Sequence, residues 1–121
     1  MSYVCSISLR LMTNNKFEEF NAEQQEIAKI AKVLSHPARI AIIQLLAEKK
    51  EIKTGNISSY LPISRTTVSQ HLKELKNAGL IQGTIDGLKI HYCLNSNKLN
   101  EINIKLNHFL KKSIDHFLCN C

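Results

Sequence analysis

Two sets of side chains in this 121-residue sequence are equipped for chemistry. The first is soft: four cysteines, Cys5, Cys93, Cys119 and Cys121, alongside five histidines. Thiolate and imidazole donors suit zinc, cadmium, copper(I) or arsenite, and thiols by themselves can oxidise or exchange. His116 and Cys119 stand three apart, so a helix would bring both to one ion, with Cys121 and Cys5 as further donors. Residues two apart on a regular helix diverge, so Cys121 joins only from a frayed end. Two plain thiols on a loose tail are the bland alternative. The second set lies within "SRTTVSQHLKELKNAGLIQG", residues 64–83, where Thr66, Ser69, Gln70 and Lys73 share a face. Solvated helix faces favour Glu and Lys, and short hydroxyls and amides lower helix propensity, so their clustering needs a reason.

Those residues need elements to position them. "NAEQQEIAKIAKVL" sets Ile27, Ile30, Ala31 and Leu34 on one helical stripe behind an Asn21 cap. "SHPARIAIIQLLAEKK" restarts a helix at Pro37, with Ile40, Ile43, Leu46 and Ala47 as its inner face. "TGNISSYLP" predicts a short helix capped by Thr54 and ended by Pro62. Ser64 then caps a helix whose Val68, Leu72 and Leu75 point inward. "LIQGTIDGLKIHYCL" predicts two strands joined at Asp86-Gly87, with Cys93 turned into the fold. A long final helix carries Leu99, Ile102, Leu106, Phe109, Leu110 and Phe117 along a seam suited to another helix. The order predicts a mainly α fold with a β-hairpin wing, a winged helix-turn-helix. It divides into an arm over 1–20, the winged domain over 21–95, and a dimerisation helix with a cysteine-bearing tail over 96–121.

Bulk composition points the same way. The net charge of +6 with no tryptophan favours a polyanionic partner, nucleic acid before an anionic membrane. No apolar run approaches the roughly 18 residues that span a bilayer, and no secretory signal opens the chain, so it reads as cytoplasmic with reduced thiols. No cysteine sits beside an oxyanion hole or a third orienting residue, so nothing points to an enzyme.

On a wheel of about 100° per residue, Thr66, Gln70, Lys73 and Asn77 oppose Val68 and Leu72, with Ser69 on the shoulder. A helix-turn-helix inserts this N-terminal half into the major groove, where Gln suits adenine and Ser or Thr several partners. Ser64, Arg65, Thr66, Thr67, Ser69 and Gln70 are therefore candidate contacts to double-stranded DNA. Lys73, Lys76 and the wing's Lys89 suit phosphate, with His91 further along the strand. His71, on the flank of the apolar stripe, reads as a half-buried packing residue.

"AKVLSHPARIAIIQLL", "TTVSQHLKELKNAGLIQG" and "GLKIHYCLN" resemble the ArsR/SmtB family of winged-helix repressors, over residues 28–95. The resemblance implies a homodimer that represses a resistance operon or senses redox and sulfur species, with effector binding lowering DNA affinity. It also implies base contacts from Thr66, Ser69 and Gln70. The family's Cys-x-Cys positions read Ile52 and Thr54 here, and its zinc positions on the last helix read Asn103, Lys105, His116 and Cys119. The first site is lost and only half of the second survives. Two helices across a dimer would present two recognition surfaces, which predicts a pseudo-palindromic operator. A thiol-redox repressor, a repressor with no effector and a winged-helix interaction module are the alternatives.

Overall fold

Helix α1, Ala22–Val33, begins with a reciprocal cap. Asn21 Oδ1 accepts from the Gln24 N–H at 2.8 Å, and Gln24 Oε1 accepts from the Asn21 N–H at 3.0 Å. Two otherwise orphaned donors are thereby satisfied. The computed structural model describes residues 19–87 and 89–119, so residues 1–18 of the predicted arm, Cys5 among them, and Cys121 lie outside the described residues.

Helix α2, Pro37–Lys49, follows after a short break, with His36 as an N-cap that makes no side-chain bond. Pro37 costs nothing there because its missing N–H would be unsatisfied anyway. Ile42 and Leu46 are the buried residues of α2, and Ile43 is half-buried. The inner face is therefore rotated from the predicted one: Ile40 and Ala47 are exposed. Apolar residues surround most of this helix, so its periodicity could not say which side meets the core.

A two-residue strand, β1 at Ile52–Lys53, leads into α3, Thr54–Ile57, and a 3-10 turn at Ser58–Tyr60. Thr54 is the first helical residue and Lys53 the cap, which corrects the predicted Thr54 cap. Helix α4, Arg65–Asn77, buries Val68, Leu72 and Leu75 completely. It ends in a left-handed Gly79, φ +82°. The Gly79 N–H donates to Lys76 O at 2.9 Å and the Leu80 N–H to Leu75 O at 3.0 Å. This is the Schellman closure, with the buried Leu80 and Leu75 as its apolar pair.

Strands β2, Ile81–Asp86, and β3, Lys89–Leu94, pair antiparallel from Ile81↔Leu94 to Asp86↔Lys89. Because Asp86 is itself paired, the turn falls one residue later than predicted, and Gly87 supplies the positive φ of +63° that it needs. Strand β1 adds to the other edge of β3 through Ile52↔Tyr92, giving the order β1-β3-β2. Such a short strand has no periodicity to read. Tyr92 takes the inward place on β3 and Cys93 is only half-buried, which corrects the expected buried thiol.

The last helix, α5 at Ser96–Cys119, runs 24 residues, or about 36 Å. Its first turns pack on the core through Ile102, with Leu99 and Leu106 partly covered. Lys105 ties it to α1 by bonding Glu26, and to itself by bonding Glu101 at 3.0 Å. Among the described residues no single helix is long and apolar enough to cross a membrane.

Candidate nucleic-acid interface

The outer face of α4 follows from what anchors the inner one. With Val68, Leu72 and Leu75 locked in the core, Arg65, Thr66, Ser69, Gln70, Lys73 and Lys76 are all exposed. Ser64 begins the helix: its Oγ accepts from the Thr67 N–H at 3.2 Å and lies 3.0 Å from Thr67 Oγ1. Both hydroxyls are thus engaged by the cap, and Thr67 is half-buried. The remaining outward residues form a patch of donors and acceptors at the positive end of the helix dipole, a suitable surface for a polyanion.

The wing adds a second projection. Lys89 is exposed, and Ile85 beside the turn is 78% exposed, an apolar tip that sequence patterning did not single out. His91 is different from its expected role as an outward contact. Its Nδ1 sits 2.6 Å from Glu51 and its side chain is mostly covered, so it braces the base of the wing. Gly83 makes room on β2 for the side chains of the neighbouring strand β3. A Cβ there would come within 3.1 Å of Ile90 and 3.2 Å of Tyr92, and 3.6 Å from Lys76 Nζ. Lys76 therefore lies at the seam between α4 and the wing.

Helix α4 is oriented from behind by Arg39. Its Nε donates to His71 Nδ1 at 3.1 Å, and its Nη1 donates to the Val33 carbonyl, also at 3.1 Å. One guanidinium thus joins the end of α1, the body of α2 and the middle of α4. The His36 ring lies tilted against His71 with centroids 5.2 Å apart. Burial, then the charge of Arg39, then that of His36 hold the His71 imidazole below its ordinary pKa. His71 is half-buried, as its flank position predicts. The Arg39 contact was not foreseen, because nothing in sequence spacing pairs residues 32 apart.

Those of the family's metal positions whose side chains are described do not together make a metal site. Ile52 is a buried hydrocarbon paired with Tyr92, with no donor atom. Asn103 is exposed. Lys105 is held above the ordinary lysine range by its bonds to Glu26 and Glu101, and a protonated ammonium cannot ligate. His116 is exposed on α5. The Cys119 side chain, Cys121 and Cys5 lie outside the described residues, and among the described residues no three His, Cys, Asp or Glu side chains converge as a metal site.

The six seam residues of α5 separate into two groups. Ile102 belongs to the chain's own core, with Leu99 and Leu106 packed partly against it. Phe109, Leu110 and Phe117 are exposed, together with Ile114 and Leu118.

Comparison with known proteins adds identity to this geometry. Residues 36–82, from the start of α2 through α4 into β2, match the family described as "Bacterial regulatory protein, arsR family". The transcriptional repressor PagR of Bacillus anthracis is 30% identical over 98 residues, spanning 81% of this chain and 95% of PagR. A solved structure described as a possible transcriptional regulator for arsenical resistance superimposes with a TM-score of 0.63 at 29% identity, covering 74% of this chain and 93% of that one. The homodimeric winged helix-turn-helix DNA-binding domain of a possible ArsR-family regulator from Mycobacterium bovis shares the fold, with a TM-score of 0.58 at 22% identity over 77% of this chain and 85% of that one. A winged helix with an exposed polar face on α4, a family match centred on that unit and a near full-length repressor relative agree: the chain belongs to the arsR family of bacterial transcriptional regulators.

Proposed function

We propose that two copies of this chain repress transcription by binding a pseudo-palindromic operator in the cytoplasm, each laying α4 in a major groove. The carrying observation is the division of α4 itself: three fully buried anchors on one side, and exposed Thr66, Ser69 and Gln70 on the other. Gln70 offers the bidentate amide that suits adenine, while Thr66 and Ser69 accept several bases. Arg65 reaches a guanine or a phosphate from the first turn. Lys73, Lys76 and Lys89 neutralise backbone phosphates and fix the register. Ser64 and Thr67 act through the cap, which fixes the helix start whose uncommitted backbone N–H groups can face a phosphate.

Two-fold pairing is supported by the far half of α5. Phe109, Leu110, Ile114, Phe117 and Leu118 are each at least 41% exposed in a single chain. Covering a large apolar side chain is worth roughly 1.5–3 kcal/mol, so this stripe favours a matching helix from a second copy. A gel-shift on the DNA upstream of the protein's own gene tests the reading. A discrete complex with the palindromic spacing of two half-sites is expected. Binding that ignores sequence would overturn it.

A further inference from the structure

A cleft of about 510 Å³ is bounded by α1, the end of α4 and the first turns of α5. Its floor is apolar: Ile30, Leu80 and Ile102 are buried there, and Val33 is half-buried. Its rim is cationic, with Lys29, Lys32, Arg39, Lys98 and Lys105 set against three carboxylates. Two of those carboxylates are already committed, since Glu26 and Glu101 both bond Lys105. Lys98 leans on Glu101 only at 3.5 Å, and Lys29 and Lys32 are exposed. The cleft therefore has a surplus of positive charge over an oily base. Its volume falls within the range that holds a small organic ligand.

We infer that this cleft binds an amphipathic carboxylate, its tail on the apolar floor and its acid group among Arg39, Lys29 and Lys98. Charge decides the class. A neutral apolar molecule would leave the rim ammoniums unanswered, and a bare inorganic anion would leave the floor wet. The site also has a route to α4. Arg39 forms one wall while its Nε and Nη1 hold His71 and Val33. A guanidinium has five N–H donors in one rigid plane and two are committed here, so a carboxylate that pairs with the others pulls on the same plane that holds both existing bonds. Ligand binding thus loosens the brace behind the recognition helix and weakens DNA binding. Only this last consequence rests on the proposed repressor function.

The test uses the full chain, with decanoate as probe below its micelle concentration. Displacement of anilinonaphthalenesulfonate, followed by fluorescence without DNA, reads the cleft directly. Expected is one decanoate per chain, with decanol, the same tail without the charge, weaker by about fivefold or more. Lys29→Glu and Lys98→Glu, both on the rim, should each weaken decanoate by a similar factor and leave decanol unchanged. No displacement, equal binding of decanol and decanoate, or rim variants matching the natural chain would each overturn the site. Binding confined to a monomeric Phe117→Glu variant would overturn it too, because a second copy would then fill the cleft. A separate anisotropy titration of the upstream DNA, with and without decanoate, reads the coupling. Weaker DNA binding with decanoate in the natural chain and not in Lys98→Glu is expected, and equal loss in both would overturn the coupling. Failure to bind DNA without decanoate would refute the repressor reading while leaving the displacement result intact.

Discussion

Arg39 Nε donates to His71 Nδ1 across 3.1 Å, and so a residue of α2 holds the middle of α4 in place. The bond requires Nδ1 to be an acceptor, which it is only in the neutral imidazole. A proton there would face a guanidinium, with the His36 ring alongside.

Acid should therefore loosen this protein through His71. Its folded pKa lies below the ordinary value of 6.5, through burial first and then the charges of Arg39 and His36. The unfolded chain then takes up the proton more readily. Stability is highest above that ordinary value and falls as pH drops through it toward the lowered folded one. Thermal melts at about pH 7.5 and about pH 5.5, bracketing the ordinary imidazole value, should differ less in His71→Gln, which keeps an acceptor but cannot titrate. An unchanged difference would remove His71 from the explanation.

Removing the groups proposed to read bases should cost specificity and spare charge. Gln70→Ala is expected to weaken operator binding by about 1–3 kcal/mol, and Ser69→Ala by no more. Neither should alter binding to random duplex. Lys73→Ala should instead weaken both alike and flatten the salt dependence, as a phosphate contact does. Titrations against operator and scrambled DNA at two salt concentrations separate these outcomes.

The apolar stripe on α5 should set the oligomeric state. Leu110→Glu and Phe117→Glu, at exposed positions, are expected to halve the mass measured by light scattering while leaving helical content intact. A mass unaffected by both substitutions would place the partner surface elsewhere.

Gly79 should be costly to replace although it touches little. Its φ of +82° is strained for any side chain, and a Cβ added there would meet only the flexible Lys98 chain, at 3.7 Å. Gly79→Ala is expected to lower stability by about 1–2 kcal/mol through backbone strain alone. Denaturant unfolding measures this, with an unchanged slope showing that the folded state keeps its compactness.

The chain-end thiols can be tested in the same protein. Replacing Cys119 and Cys121 with Ser should abolish induction by arsenite or cadmium in cells if a soft ion acts there. Unchanged induction would remove the thiols from signalling.

Much of this protein was legible in its residues because the signals are local. Asn21 and Ser64 cap helices by reaching three residues ahead, and Val68, Leu72 and Leu75 repeat at helical spacing, so the sequence alone determined where α1 and α4 begin and which way α4 faces. The polar outer face of α4 follows from that orientation without any knowledge of neighbours. Only the tertiary structure decided what depends on distant partners. It rotated α2 so that Ile42 replaced Ile40 inside, because α2 is apolar on several sides and the core chose among them. It divided the α5 seam between the chain's own core and solvent, since periodicity marks an apolar stripe without saying what covers each turn. It drew His91 back to Glu51, and it joined Arg39 to His71, contacts between residues far apart in the chain that folding alone brings within hydrogen-bonding reach.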